Sequence, residues 1–133
     1  MFVYEHSVSG KTTVRRIWSM YADADKWRLW DAGIDSAELP GGLAEGASGV
    51  MHMKDGAALP FTVIECRENE GFSAQAKLGA LLVTLGHSIK ADGDLVTITH
   101  TVTVEGGSDA QAEGALKAIS SGIPESMRRL LAL

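Results

Sequence analysis

The sequence predicts an α+β fold: a curved antiparallel sheet of about seven strands wraps around a long C-terminal helix, and two short helices close one end. Three observations lead to this prediction. Residues 2–8 alternate between apolar and polar side chains, as a half-buried strand does. Strand-like segments separated by turn signals fill residues 34–106. The chain then ends on a helical pattern with one apolar stripe, which matches the single apolar face of such a sheet.

The first third of the chain supplies one strand and both short helices. The segment FVYEHSV places His6 on one face with Phe2, Tyr4 and Val8. Residues 13–22 show helical spacing, and Thr12 is predicted as the N-cap. Asp23 is predicted to cap the second helix, DADKWRLW. Further strands are predicted near residues 34–39, 48–54, 59–67 and 71–78.

The strongest local signal is a long hairpin that follows residue 78. Asp92-Gly93 is a two-residue turn signal, and it predicts a register in which Leu85 lies opposite His100 and His87 opposite Ile98. His87 and His100 are then diagonal neighbours on an otherwise apolar face. The opposite face carries serine and threonine and is expected to contact water.

The last element is a helix with an interruption. Ser108 and Gln111 have the spacing of a capping box, and the helix is predicted to run from there towards Leu131. Gly122 and Pro124 lie inside it, so a kink or a break is expected, because proline removes an intrahelical hydrogen bond. The apolar stripe consists of Leu116, Ile119, Ile123, Met127 and Leu130.

Composition limits the classes of function. A chain of 133 residues suits one domain, residues 1–133. The net charge of −5 argues against a nucleic-acid partner. The single cysteine, Cys66, excludes an intrachain disulfide and a thiolate metal site. ALLVTL is too short for a membrane span, and the N-terminus lacks a signal-like apolar run, so we expect a soluble, cytoplasmic protein. No metal site and no cofactor is expected, since no fingerprint for either is present.

Several motifs resemble the SRPBCC, or START-like, superfamily, and within it the polyketide cyclase/dehydratase-like branch. Residues 5–34 look like the opening of that family: Ile17-Trp18 matches its helix-one "VW", and Asp23…Trp27…Trp30-Asp31 matches its "D…W..WD". The segments GASGVMHM, LPFTVIE and GHSI fit its later strands. The resemblance implies the helix-grip fold with a cavity between the sheet and the last helix. It implies no particular activity, because the family shares a cavity and not a catalytic signature.

We expect open volume inside this fold, because three tryptophans, two tyrosines, three phenylalanines and fifteen glycines fill little space under a curved sheet. His87 and His100 are candidates for ligand anchors or, more weakly, for catalytic acid/base groups. The alternative is that both only satisfy hydrogen bonds of the core. In the family-like topology the first strand lies beside the last, which would bring in His6. The predicted cavity lining is His6, Trp30, Met51, Met53, Phe61, Phe72, Leu85, His87, Ile98, His100, Ile119, Ile123 and Met127.

These observations leave three functions open. The first is binding of a small hydrophobic molecule, such as a lipid or a polyketide, in the cavity. The alternative is a polyketide cyclase/dehydratase-like enzyme that uses a cavity histidine, and the second alternative is a protein-interaction module. A homodimer is left open. The facing of His52 is not fixed by its pattern, and Glu65 is expected on the outer face.

Overall fold

The computed structural model describes all 133 residues and confirms the predicted α+β fold with a seven-stranded antiparallel sheet. The strands are β1 (Phe2–Lys11), β2 (Ile34–Glu38), β3 (Ser48–Met53), β4 (Ala58–Arg67), β5 (Gly71–Leu78), β6 (Leu81–Asp92) and β7 (Leu95–Gly106). The helices are α1 (Val14–Ala22), α2 (Trp27–Trp30), α3 (Asp109–Ser120) and α4 (Ile123–Ala132), with a 3-10 turn at Ala24–Lys26 before α2. None of the helices combines the length and the apolar character needed to cross a membrane.

The strand order is β1-β7-β6-β5-β4-β3-β2, so the first and second strands form the two edges. Side chains of β7 alternate strictly: Ile98, His100 and Val102 are buried, whereas the threonines between them are half-buried on the other side. We call the buried side the inner face, because all four helices lie on it. The expected placement of the first strand beside the last is confirmed.

The predicted register of the β6–β7 hairpin is wrong by two residues. His87 lies directly opposite His100, and Leu85 lies opposite Val102. Asp92 and Leu95 form the last strand pair, so the loop is Gly93-Asp94 and not Asp92-Gly93. Gly93 has a φ of 63°, which suits the first loop position of a type II′ turn. A slip of two residues keeps every side chain on its face, but it changes which residues are neighbours.

The helix ends follow local chemistry. Thr13, and not the predicted Thr12, caps α1, because its side chain accepts a hydrogen bond from the Arg16 amide at 3.1 Å. The predicted capping box of Ser108 and Gln111 is present at the start of α3. The predicted break is also present: α3 and α4 are separated at residues 121–122, and Pro124 occupies the first turn of α4.

The apolar interior consists of two clusters. The main cluster contains 17 buried residues, among them Trp27, Trp30, Phe61, Phe72 and Met127, and it lies under α1, α2 and α4. The small cluster contains Val83, Val102, Val104 and Ala112 and lies under α3.

Candidate functional site

Three histidines stand in one row across the inner face. His6 of β1 is paired with His100 of β7, and His100 is paired with His87 of β6. We call these three residues the histidine row. The next residue across the sheet is Phe72 of β5, whose ring stacks on that of His87 with centroids 4.1 Å apart and planes 9° apart. The meeting of three imidazoles follows from strand order and register.

A buried tyrosine from α1 binds the centre of the row. The Tyr21 hydroxyl lies 2.7 Å from Nε2 of His100, and both side chains are buried. Burial raises the pKa of the Tyr21 hydroxyl, which therefore keeps its proton, and Nε2 of His100 is the only acceptor that the structure offers to that proton. The proton of neutral His100 is then on Nδ1. Nδ1 of His87 donates to the Phe72 carbonyl at 3.2 Å, because a carbonyl oxygen can only accept. The two imidazoles therefore differ in tautomer: His100 keeps a free N–H donor, and His87 keeps a free acceptor at Nε2.

Burial keeps the inner imidazoles uncharged. Desolvation lowers the pKa of His87 from 6.5 to about 4, although the hydrogen bond to Phe72 opposes this shift. Desolvation, and after it the like charges of His87 and His6, lowers the pKa of His100 well below its usual value. Burial also raises the pKa of the Tyr21 hydroxyl. The site therefore offers neutral hydrogen-bonding groups near pH 7.

The histidine row divides the two apolar clusters. Along β7, Ile98 on one side of His100 belongs to the main cluster, and Val102 on the other side belongs to the small cluster. Above the sheet, Ile123 at the start of α4 packs against both clusters, as Leu85 does from β6. The break between α3 and α4 therefore lies over the boundary that the row marks.

Two ring nitrogens at this boundary have no hydrogen-bond partner in the protein. Thr12 Oγ1 is the only fully buried side-chain nitrogen or oxygen that lacks a hydrogen-bond partner. Nε2 of His87 and Nδ1 of His100 have no protein partner either. These two atoms are therefore the free hydrogen-bonding positions of the row, and desolvation dominates the pKa values of their rings.

Aromatic side chains occupy much of the interior between the sheet and the helices. The ring of Tyr21 lies at its centre and contacts Trp30 and Phe72 edge-on, with centroids 5.6 and 5.4 Å away. Two depressions open on the surface, and Phe72 and His87 are among the residues that line the first of them. One, of about 360 Å³, opens on the outer face of the sheet where Gly71 and Gly86 leave a gap. The other, of about 630 Å³, lies beside Trp18 of α1. Neither depression is the cavity between the sheet and the last helix that the sequence predicts, so that cavity stays a prediction.

The predicted lining residues all point into this interior, but they differ in burial. Seven are buried: Trp30, Met51, Phe61, Phe72, Ile98, His100 and Met127. Six are half-buried: His6, Met53, Leu85, His87, Ile119 and Ile123. The list missed Tyr21. Its position on the apolar stripe of the first helix was a signal for burial, but that signal did not reveal its contact with His100, 79 residues away.

The two undecided polar residues lie outside the site. Nε2 of His52 is 2.8 Å from Oε2 of Glu38 on the exposed face. Glu65 faces outward as expected and lies 3.6 Å from Nε of Arg67. Neither residue contributes to the histidine row.

Comparison with known proteins supports the fold. No protein-family model and no curated protein sequence matches the chain. Hypothetical protein jhp0584 from Helicobacter pylori superposes with a TM-score of 0.81 at 16% identity, covering 98% of this chain and 86% of that one. A START superfamily protein from Mycobacterium smegmatis gives 0.75 at 13% identity, covering 98% and 94%. DynU16, a putative protein in the dynemicin biosynthetic locus, gives 0.74 at 16% identity. The match covers 98% of this chain but 46% of DynU16, so the chain spans about half of that protein's length. These likenesses confirm the START-like helix-grip fold that the sequence motifs implied.

Proposed function

We propose that the protein binds a small, uncharged, mainly apolar molecule at the histidine row, beneath the joint between α3 and α4. One observation carries this proposal: the imidazoles of buried His100 and half-buried His87, both neutral near pH 7, have ring nitrogens without a hydrogen-bond partner at the boundary between two apolar clusters. A purely structural histidine pair would be expected to use both nitrogens of each ring, since an unmet hydrogen bond inside a protein is costly.

The site is chemically suited to a neutral ligand. Besides desolvation, only the imidazoles of His87 and His6 affect the pKa of His100, and no carboxylate, lysine or arginine does. Burying an ion here without a partner would cost several kcal/mol. A ligand hydroxyl or carbonyl would instead pair with Nε2 of His87 or with the N–H of His100, while its apolar part contacts Leu85 and Ile123.

Binding at this place requires the helix joint to move. Ile119 and Ile123 flank the joint and are half-buried, and Gly122 between them has open space around its α-carbon. No side chain caps the start of α4. A ligand that buries about 250 Å² of apolar surface gains about 6 kcal/mol before the cost of association. The opening of the joint reduces this gain further, so we expect affinities in the micromolar to millimolar range.

The proposal is tested by NMR titration of protein with ¹⁵N-labelled histidine. The probe is 2-naphthol, and 2-methylnaphthalene is the matched compound without a hydroxyl. We expect 2-naphthol to shift the ring signals of His87 and His100 and to leave those of exposed His52 in place. The methyl analogue is expected to bind about fivefold more weakly, because it lacks the hydrogen bond.

A pair of variants locates the binding site. Ile123→Trp places a larger side chain over the row and is expected to abolish binding of 2-naphthol. Leu29→Trp, at a side chain that is 42% exposed on α2, is the matched control and is expected to leave binding unchanged. Urea unfolding of both variants checks that they fold. Equal affinity in Ile123→Trp and Leu29→Trp, or unshifted signals of His87 and His100, would contradict the proposal.

The enzyme alternative has one specific observation in its favour. The Phe72 carbonyl fixes the tautomer of His87, which leaves Nε2 as an unprotonated base in an apolar setting. A cyclase/dehydratase-like reaction would transfer a proton from a carbon between two carbonyl groups to this nitrogen. The assay is deuterium exchange at the central carbon of ethyl acetoacetate in heavy water. Acceleration by the wild type that is lost in His87→Gln but kept in His52→Gln would support catalysis. Equal exchange rates with all three proteins would exclude it.

A further inference from the structure

The free edge of the sheet at β1 has the features of an interface. All ten residues of β1 pair in continuous register with β7 on one side, and no strand pairs with it on the other. The strand contains no proline and no bulge, the devices that commonly protect an exposed edge. The opposite edge is different: β2 has five residues, a register shift between Ile34 and Ser36, and Pro40 shortly after it. Only one of the two edges is therefore open to a long strand partner.

Burial also changes abruptly at this edge. The inner-face residues of β7 are almost fully buried, with exposures from 0 to 4% between Val96 and Val104. Their five neighbours on β1 are only half-buried: Phe2, Tyr4, His6, Val8 and Gly10. Phe2, Tyr4 and Val8 have apolar or aromatic side chains without a charge to solvate. A further strand beside β1 would bury these inner-face side chains of β1 more completely.

The charges of β1 select one register with a second copy of the chain. Glu5 and Lys11 are exposed on the outer face, and neither forms an ion pair within the protein. In an antiparallel pair centred on Val8, Glu5 of each copy lies opposite Lys11 of the other. Two-fold symmetry produces this attraction twice. Pairings centred on Glu5 or on Lys11 would instead place like charges opposite each other.

We propose that two copies of this chain associate through antiparallel pairing of their β1 strands about Val8, which joins the two sheets into one. This inference does not depend on the ligand proposed above, because it uses the free backbone edge and the outer-face charges.

A charge swap provides the test, with sedimentation velocity over the micromolar to millimolar range as the readout. Wild-type protein is expected to dimerise in this range. Glu5→Lys and Lys11→Glu are each expected to weaken the dimer about tenfold, because both symmetry-related pairs turn repulsive. The double variant restores both attractions and is expected to regain the wild-type affinity. Glu68→Lys and Lys77→Glu, exposed and distant from β1, are the matched controls for each reversal and are expected to leave the affinity unchanged.

Three results would overturn the proposal. The first is wild-type protein that stays monomeric throughout the range. The second is single reversals that behave like the two controls. The third is a double variant that is as weak as the single ones, since net charge alone would then explain the loss. Circular dichroism of each variant confirms that the comparison is made between folded proteins.

Discussion

Replacing His87 by phenylalanine tests the buried, neutral state of the histidine row. The unfolded ring titrates near pH 6.5 and the native ring near 4, so the unfolded state binds the proton first as the pH falls. The contribution of His87 to stability is therefore complete above pH 6.5, declines between 6.5 and 4, and is lost below 4. His100 acts in the same direction, because its pKa is also lowered.

The magnitude follows from the size of the shift. One pKa unit corresponds to about 1.4 kcal/mol, so His87 alone should reduce the free energy of unfolding by about 2 kcal/mol at about pH 5 relative to neutral pH. Urea unfolding followed by tryptophan fluorescence at the two pH values measures this loss. His87→Phe keeps an aromatic ring against Phe72 but cannot titrate, so its loss should be smaller than that of the wild type by about 2 kcal/mol.

The comparison depends on the difference between two pH values and not on the absolute stability of the variant. Phenylalanine also leaves the Phe72 carbonyl without its donor, a cost that is equal at both pH values. The control is His52→Gln, on the exposed face and outside the histidine row, and it should reproduce the wild-type loss between the two pH values. If His87→Phe and the wild type lost the same stability between the two conditions, the ring would not be buried and neutral as described.

Two further predictions concern packing. Tyr21→Phe should reduce the free energy of unfolding by about 1–3 kcal/mol in urea, because a buried imidazole nitrogen loses its hydrogen-bond donor. The control is Tyr4→Phe, which should be nearly neutral in the same experiment, because the Tyr4 hydroxyl has no hydrogen-bond partner in the protein. Gly49→Ala should destabilise strongly, since its Cβ would overlap the backbone oxygen of Glu38. Gly114→Ala, where nothing lies within 4 Å, should instead stabilise α3 by about 0.5–1 kcal/mol in thermal or urea unfolding. If Tyr21→Phe lowered the free energy of unfolding no more than Tyr4→Phe does, the hydrogen bond of Tyr21 would be contradicted. If Gly49→Ala destabilised no more than Gly114→Ala does, the close approach at Gly49 would be contradicted.

The sequence predicted the elements well because their signals are local. Alternation defines β1, and the spacing of Ser108 and Gln111 defines the start of α3. Pro124 predicts the break within the last helix because proline has no backbone N–H to donate to an intrahelical hydrogen bond. The faces of the hairpin were also correct, because a shift of two residues leaves them unchanged.

The partners across the sheet could not be predicted from the same signals. Asp92-Gly93 and Gly93-Asp94 are both acceptable two-residue loops, and the sequence does not say which position Gly93 occupies. The packing around Tyr21 could not be predicted for a related reason. Counting aromatic residues estimates total volume, but it does not show that Tyr21, Trp27 and Phe72 converge on one region. That convergence depends on contacts between residues far apart in the chain.

The division of the apolar interior has a consequence for how the molecule opens. Four buried residues under α3 are separated from the other seventeen by a polar row, and only Leu85 and Ile123 bridge the two groups. The smaller group can therefore detach with its helix while the larger one stays packed, at a free energy below that of global unfolding. The opening that lets backbone amides of α3 exchange with deuterium should accordingly have a lower free energy than the opening required for amides of β4 and β5.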